Sequence, residues 1–273
     1  MTPSFDLDSY LGRIGQQGAA AADAATLARV HAAHVGAIPF ENLDVQAGRR
    51  IHLDLVSLQA KLVSRRRGGY CFEQNTLFQH ALQALGFDVT PCEARVRPPG
   101  AGEPLPRTHM VLIVRTGGRE WLCDVGFGGD GLFGPMPLDG APVEQIDRWL
   151  RVAPEGPLRV LQWRSSSGWE DLYAFLPEPR FPVDFEVGNW YTSTHPGSPF
   201  VRRLTVQRVL PDARHILRQL TYSVHRRDGS TSRDIARAEL PLLLREVFGL
   251  DVEDLVFPAI DDVPVPQQGG APT

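Results

Sequence analysis

Cys71 stands in a segment whose residue types can support nucleophilic chemistry. The run Arg67-Gly-Gly-Tyr-Cys71-Phe-Glu-Gln-Asn75 places two glycines shortly before the thiol, and an apolar helical stripe follows it. The glycines predict a sharp turn with positive backbone angles. The thiol would then lie in a first helical turn, where free N–H groups and the helix dipole stabilise a thiolate. A small buried thiol packed under the helix is an equally good interpretation of this segment alone.

His109 and Asp124 belong to a second candidate segment. Two apolar runs flank Gly117-Gly118, a pattern typical of a tight β-hairpin. If the two glycines form the loop, Asp124 is the diagonal neighbour of His109 on one face, and a slip by two residues would place them directly opposite. We therefore expect the imidazole and the carboxylate to form a hydrogen bond across the hairpin.

Cysteine, histidine and aspartate together form the general pattern of an activated nucleophile. Cys71 would attack, His109 would take the thiol proton, and Asp124 would orient the imidazole and stabilise its charged form. The pattern alone does not choose among a peptidase or other thiol hydrolase, a transglutaminase and an acyltransferase. A binding module that keeps the fold without activity is a further alternative, although three intact residues argue against it.

Three zones of the chain must position these residues. Residues 1–90 have the helical spacing of apolar positions, including predicted helices near 19–35, 55–63 and 71–85. Residues 91–200 alternate short apolar runs with Pro- and Gly-rich loops, which predicts an antiparallel sheet or barrel. Residues 201–273 begin with strands at 204–210 and 215–225, continue with a helix at 240–248, and end in a flexible tail from residue 263. Helices followed by strands indicate an α+β fold.

Composition narrows the function classes. The 273 residues carry a net charge of −4, which gives no reason to expect a nucleic-acid partner. No apolar run approaches the ~20 residues that span a membrane, and the N-terminus lacks the pattern of a signal peptide. The three cysteines contain no C-x-x-C pair, which argues against disulfides and structural zinc and fits the cytoplasm. His31 and His34 have metal-ligand spacing but no third ligand nearby, so we expect a solvated helix face and no metal.

Several motifs resemble those of the arylamine N-acetyltransferases. The resemblance runs in order from about residue 38 to 200 and meets no departure at Cys71, His109 or Asp124. The matching segments are Ile38–Leu43, Arg67–Asn75, Thr108–Met110, Cys123–Gly128 and Asn189–Pro196.

This resemblance implies a helical bundle (residues 1–90, with Cys71), a β-barrel (91–200, with His109 and Asp124) and an α/β lid (201–273). The first two would have a cysteine-peptidase-like arrangement. It also implies a bacterial enzyme of xenobiotic metabolism without a permanently bound cofactor. Acetyl-CoA would be the co-substrate of a ping-pong reaction, and an aromatic amine or hydrazine would take the acetyl group from the cysteine.

The resemblance also implies which residues contact the substrates. An apolar acceptor pocket would be lined by Phe40, Phe72, Val96, Phe127 and Phe200. Gly128 and Gly129, in a glycine-rich stretch, would let the pantetheine of CoA approach the backbone, with a plain loop as the alternative interpretation. A natural-product amide synthase on the same three residues also stays open, as do the physiological amine, the acyl donor and a homodimer.

Overall fold

The computed structural model describes residues 5–17, 21–100, 103–128 and 130–252. The predicted tail from residue 263 lies outside the described residues, as does Gly129. Among the described helices, none is long and apolar enough to cross a membrane.

Helices dominate the first part of the chain. They are α1 (Leu7–Arg13), α2 (Ala24–Ala37), α3 (Leu43–Gln46), α4 (Leu55–Leu58), a π-helical continuation (Gln59–Ser64) and α5 (Cys71–Ala84). α2 begins at Ala24 because the Asp23 carboxylate accepts the Thr26 N–H at 2.8 Å. α5 ends where Gly86 takes a φ of 87°, the left-handed conformation expected of a helix-terminating glycine.

An eight-stranded antiparallel sheet follows and curls into a nearly closed barrel. Its spatial order is β5-β4-β3-β2-β9-β8-β7-β6. The strands are β2 (Asp88–Val96), β3 (His109–Thr116), β4 (Arg119–Cys123), β5 (Met136–Pro137), β6 (Val143–Gln145), β7 (Arg148–Glu155), β8 (Leu158–Ser165) and β9 (Gly168–Phe175).

The β3–β4 hairpin has the register expected if the two glycines form the loop, and not the one shifted by two residues. Thr116 pairs with Arg119 and Leu112 with Cys123, and both loop glycines have positive φ. Alternation along these strands separates two cores: Val111 and Ile113 point into the barrel, whereas Met110 and Leu112 pack against the helices. Residues on the barrel-facing side of β3 therefore include His109.

A second, five-stranded sheet combines distant parts of the chain in the order β1-β10-β11-β12-β13. Its first strand, β1 (Phe40–Glu41), comes from the helical region and pairs with β10, with Phe40 opposite Gln207. The remaining strands are β10 (Thr205–Val209), β11 (Arg214–Arg218), β12 (Thr221–Arg226) and β13 (Gly229–Asp234), and helix α8 (Leu240–Glu246) packs on them.

Two sequence predictions require correction. Residues 182–202, predicted within a zone of strands, form helices α6 (Pro182–Thr194) and α7 (Pro199–Arg202). The residues of α6 are poor helix formers, and its buried face is fixed by tertiary packing, since a Cβ at Gly188 would lie 2.7 Å from the Phe72 ring. The single strand predicted over 215–225 is a hairpin, because Gln219 adopts a φ of 54° without any glycine to mark the turn.

Asn42 links the helical region to the chain after α7. Its amide nitrogen donates to the carbonyls of Phe200 at 2.7 Å and Arg203 at 2.8 Å, and its oxygen accepts the Thr205 N–H at 2.8 Å. Three backbone groups therefore depend on one side chain that is 2% exposed.

We expect Asn42→Ala to lower the free energy of unfolding by about 2–4 kcal/mol, because the three backbone groups lose their partner in a buried place. Urea denaturation measures the change. Gln83→Ala, at an exposed position of α5, is the control and should leave the midpoint nearly unchanged. Equal midpoints for the two variants would contradict this role of Asn42.

Candidate active site

Cys71 is the first residue of α5 and is clamped between two segments of the barrel. Its Sγ lies 3.6 Å from the carbonyl oxygen of Thr108, the residue before β3. On another side, Gly126 approaches so closely that a Cβ there would lie 2.7 Å from the Cys71 Cα. The backbone that carries the thiol is therefore fixed relative to the residues just before β3 and just after β4.

His109 and Asp124 form the predicted hydrogen bond. The distance between His109 Nε2 and Asp124 Oδ2 is 2.7 Å, and the residues are 2% and 1% exposed. Asp124 follows β4 directly and therefore reaches the histidine at the first residue of β3. Cys123 points to the opposite face and packs among the helices, as expected from strand alternation.

The pair favours a charged imidazole. Burial alone would lower the pKa of His109, but attraction to Asp124 and hydrogen bonds to Asp124 and Cys71 raise that pKa to about 10. Burial on its own would raise the pKa of Asp124. The charge and hydrogen bond of His109, with hydrogen bonds from Asn75 and the Gly126 N–H, outweigh the effect of burial, so the pKa of the carboxyl is lowered. Since Nε2 is engaged by Asp124, Nδ1 is the nitrogen left for Cys71. An imidazolium beside a thiol is the arrangement that stabilises a thiolate.

Asp124 is held by three groups that the sequence predictions did not assign. Its Oδ1 accepts hydrogen bonds from Asn75 Nδ2 and the Gly126 N–H, both at 2.9 Å. Its own N–H donates to His31 Nε2 at 3.2 Å. Asn75 follows Cys71 by four residues, so helical spacing could have placed it on the same face. No local signal indicates the contribution of His31, which depends on the packing of α2.

His31 and His34 correct the prediction of a solvated helix face, because both are fully buried. His31 Nδ1 lies 3.2 Å from the Phe133 carbonyl, so this nitrogen carries the proton and Nε2 accepts. His34 lies 2.8 Å from the Tyr10 hydroxyl and 3.2 Å from Gln74 Oε1. Burial lowers the pKa of His31 to about 4 and that of His34 to about 3, so both are neutral connectors.

Tyr173 is a further residue that the sequence predictions did not assign to the site. Its ring centroid lies 5.0 Å from those of His109 and Phe127. The hydroxyl is buried and has no hydrogen-bond partner among the described residues. Burial is the main cause that holds the pKa of Tyr173 well above its usual value, and the nearby Asp124 carboxylate adds to the effect. The phenol therefore stays neutral beside the charged pair.

A buried network of charges holds the chain that leads into α5. Arg67 Nη2 contacts Glu41 Oε1 at 2.8 Å and Asp44 Oδ1 at 3.3 Å. Lys61, the only lysine, contacts Asp44 and Glu73, each at 2.7 Å. Glu73 also accepts the Tyr70 N–H at 3.1 Å, next to Cys71. Charged residues from β1, α3, the π-helical turn and α5 thus fix the position of the thiol.

Gly68 and Gly69 serve close packing rather than the positive backbone angles expected from the sequence. Neither has a positive φ. A Cβ at Gly68 would lie 2.1 Å from the Pro39 carbonyl oxygen, and one at Gly69 would lie 2.8 Å from the Glu73 carboxylate. The Gly69 carbonyl accepts the Glu41 N–H at 3.0 Å. The glycines therefore let β1 and the charge network approach the backbone just before Cys71.

Comparisons with known proteins assign the chain to a family. The N-acetyltransferase family model matches residues 23–256. The chain is 44% identical over 261 residues to an arylamine N-acetyltransferase of Mycolicibacterium smegmatis, covering 92% of this chain and 94% of the relative. The chain belongs to the arylamine N-acetyltransferase family.

Solved structures of the family agree with this fold. An arylamine N-acetyltransferase from Salmonella typhimurium superposes with a TM-score of 0.88 at 34% identity, covering 92% of this chain and 94% of the other. The Mycobacterium marinum arylamine N-acetyltransferase in complex with CoA gives a TM-score of 0.88 at 37% identity, with coverages of 94% and 99%. The sequence motifs had indicated the same family.

The residues that the resemblance assigned to an acceptor pocket fall into two groups. Phe127 packs on His109, with ring centroids 5.1 Å apart, and Val96 is paired with Tyr173 across β2 and β9. Phe40 and Phe200 form the other group, with centroids 5.8 Å apart.

Phe72 lies deeper than the other candidate pocket residues. It is 1% exposed and packs against Tyr70, Phe185 and Gly188. Its surroundings are therefore those of a packed core side chain.

Gly128 lies where the barrel meets the second sheet. It has a φ of 85°, and a Cβ there would lie 2.3 Å from Gln207 Oε1 and 3.4 Å from Phe40. A side chain at this position would therefore strain the backbone and collide with β10. The close approach connects the Phe127 segment to the Phe40 group.

We expect the His109 ring to be doubly protonated at pH 7, and Asp124→Asn to make it neutral, because burial then acts without the opposing carboxylate. The ¹⁵N shifts of the ring nitrogens report both states. His31 and His34, neutral in both proteins, are internal references. A neutral His109 ring in the unaltered protein would contradict the prediction.

The same pair predicts a pH dependence of stability. The folded pKa of His109, about 10, lies above the ordinary value of 6.5. Its stabilising contribution is therefore fully present below pH 6.5 and declines as the pH rises through the folded value. Asp124→Asn should remove this dependence, so the difference in unfolding free energy between the two proteins should shrink at high pH. A difference that does not change with pH would argue against the pair.

Lys61→Met should lower the free energy of unfolding by about 3–5 kcal/mol, because it leaves buried carboxylates without their cation. Adding Glu73→Gln should recover part of the loss, and urea denaturation measures both changes. Arg50→Met, which removes an exposed cation, is the matched control. Additive effects of the two substitutions would show that the Lys61–Glu73 contact does not carry the loss.

Proposed function

We propose that Cys71, His109 and Asp124 carry out acetyl transfer from acetyl-CoA to an aromatic amine or hydrazine through a thioester on Cys71. The observation that carries the proposal is the buried His109–Asp124 pair beside Cys71, in a chain similar to arylamine N-acetyltransferases over more than nine-tenths of its length. The pair places a charged imidazole next to the thiol, and the first chemical step requires a nucleophile in that position.

In the first half-reaction, the Cys71 thiolate attacks the acetyl carbonyl carbon of acetyl-CoA. A new carbon–sulfur bond forms to Cys71, and the bond to the CoA sulfur breaks. The His109 imidazolium gives its proton to the departing CoA thiolate, which leaves as the thiol. The product is acetylated Cys71 beside a neutral imidazole that Asp124 keeps in place.

In the second half-reaction, the amine nitrogen attacks the acetyl carbon on Cys71. His109 accepts a proton from that nitrogen, the bond to Cys71 breaks, and the N-acetylated product leaves. The imidazolium and thiolate are restored, so the protons balance over the cycle. The apolar side chains of Phe127 and Phe40 offer flat surfaces for an aromatic acceptor.

The proposed reaction also explains the burial of the site. A thioester is lost if water attacks it before the amine does. His109 and Asp124 are almost inaccessible, and Phe127 and Tyr173 cover the imidazole with aromatic rings. This covering limits the water that the imidazole could activate.

We further propose that the protein works in the cytoplasm. Cys71, Cys92 and Cys123 are all free thiols. A reducing compartment keeps such thiols free and preserves the nucleophile.

Intact-protein mass spectrometry after brief mixing with acetyl-CoA tests the transfer directly. We expect one added acetyl group on Cys71 that persists in water and is lost when aniline or a hydrazine is added. Cys71→Ser should remain unacetylated, and His109→Gln should slow acetylation by about 10²-fold or more.

Two results would contradict the proposal. An acetyl group that is lost to water as fast as to the amine would indicate a thiol hydrolase. An acetyl group found on Cys71→Ser would place the nucleophile elsewhere.

A further inference from the structure

A cavity of about 360 Å³ lies between the helical region and the second sheet, and its lining does not include Cys71. Its wall includes Arg208, which follows Gln207 on β10. Consecutive side chains of a strand point to opposite faces. Since Gln207 points toward Gly128, Arg208 points to the opposite face of the sheet, away from the proposed active site and into the cavity.

Three arginines line the cavity: Arg13 from the end of α1, Arg66 from the turn before Arg67, and Arg208. No carboxylate is found in the lining among the described residues. Elsewhere in the chain buried arginines contact acids, as Arg67 contacts Glu41. This cluster of like charges is therefore unusual for this protein.

Two of the guanidinium groups are held in place by backbone carbonyls. Arg13 Nε donates to Leu62 at 3.0 Å and its Nη2 to Arg66 at 3.4 Å. Arg208 Nε donates to Gly36 at 3.1 Å and its Nη1 to Val247 at 3.0 Å. Within the described ranges, Arg13 Nη1 and Arg208 Nη2 have no protein acceptor. The protein thus orients each guanidinium group and leaves one of its nitrogens able to donate to a ligand.

The arginines repel one another. Burial, together with repulsion from Arg66 and Arg208, lowers the pKa of Arg13 to about 10. The carbonyl ends of α2 and α8 supply some negative potential, each equivalent to roughly half a charge. Three guanidinium charges exceed that potential, so the cavity keeps a net attraction for anions.

We propose that this cavity binds phosphate, either as the free ion or as a group on a small molecule. Guanidinium groups match the tetrahedral oxygens of phosphate with parallel, charge-assisted hydrogen bonds. Arg13 Nη1 and Arg208 Nη2 supply donors from two sides, and the exposed Arg66 supplies a third charge. The phosphate comes from free inorganic phosphate or from the phosphorylated ribose of a nucleotide.

Titration of the ¹⁵N-labelled protein with inorganic phosphate tests the site. We expect saturable shifts of the amide signals of Gly15, Gly36 and Gly249, which line the cavity. Arg66→Asn should weaken binding about tenfold, the loss expected for one charge-assisted contact. Asparagine suits the positive φ of 53° at this position, and the Arg66 side chain forms no hydrogen bond with any of the described residues, so the fold should be kept.

Arg65→Asn is the matched control. It removes the same charge one residue away, from an exposed side chain outside the cavity, and should leave the affinity unchanged. Equal affinities in the two variants, or shifts that stay linear with phosphate concentration, would overturn the proposal.

Adenosine 3′,5′-bisphosphate distinguishes the two sources. If it shifts the same three glycines at lower concentration than inorganic phosphate, the proposal stands with a nucleotide as the source. If inorganic phosphate binds there with equal or greater affinity, the proposal stands with free phosphate as the source. Shifts from both probes confined to residues around Cys71 would overturn it.

Discussion

The Asp124 carboxylate is almost completely buried, and a buried charge must be compensated within the protein. His109 supplies the opposite charge, and Asn75 and the Gly126 N–H supply hydrogen bonds. These partners come from β3, α5 and the loop after β4. The need to compensate one carboxylate therefore requires that the barrel and the helical region meet at a fixed distance, and Cys71 lies at that junction.

A second set of buried charges holds the other side of the same junction. Glu73 lies two residues after Cys71 and depends on Lys61, while Arg67 joins Glu41 and Asp44. The two sets are connected by α5, whose first turn contains Cys71 and Glu73 and whose second contains Asn75. The π-helical turn at 59–64 directs Lys61 into this network. Such turns often occur near functional sites, where they reposition a side chain.

Local sequence patterns correctly predicted the elements that form from residues close together in the chain. The β3–β4 hairpin follows from two glycines and two apolar runs, and its register brings His109 and Asp124 together. Helix α5 follows from its apolar stripe and from Gly86. By contrast, α6 contains glycine, asparagine and β-branched residues and is helical because one face packs on Phe72 and Tyr70. Gln219 turns a hairpin without the glycine that usually marks such a turn.

The sequence by itself determined the family, the α+β class and the identity of the candidate nucleophile, base and orienting residue. These features depend on residue types and short spacings, which can be read along the chain. Tertiary structure decided which polar residues surround them. His31 lies 93 positions along the chain from Asp124, and Tyr173 lies 64 positions from His109. Lys61 is 12 positions from Glu73 but belongs to a different helix, and burial forces His31 and Lys61 to find polar partners. The close approaches at Gly68 and Gly126 likewise exist only once distant backbones are packed together.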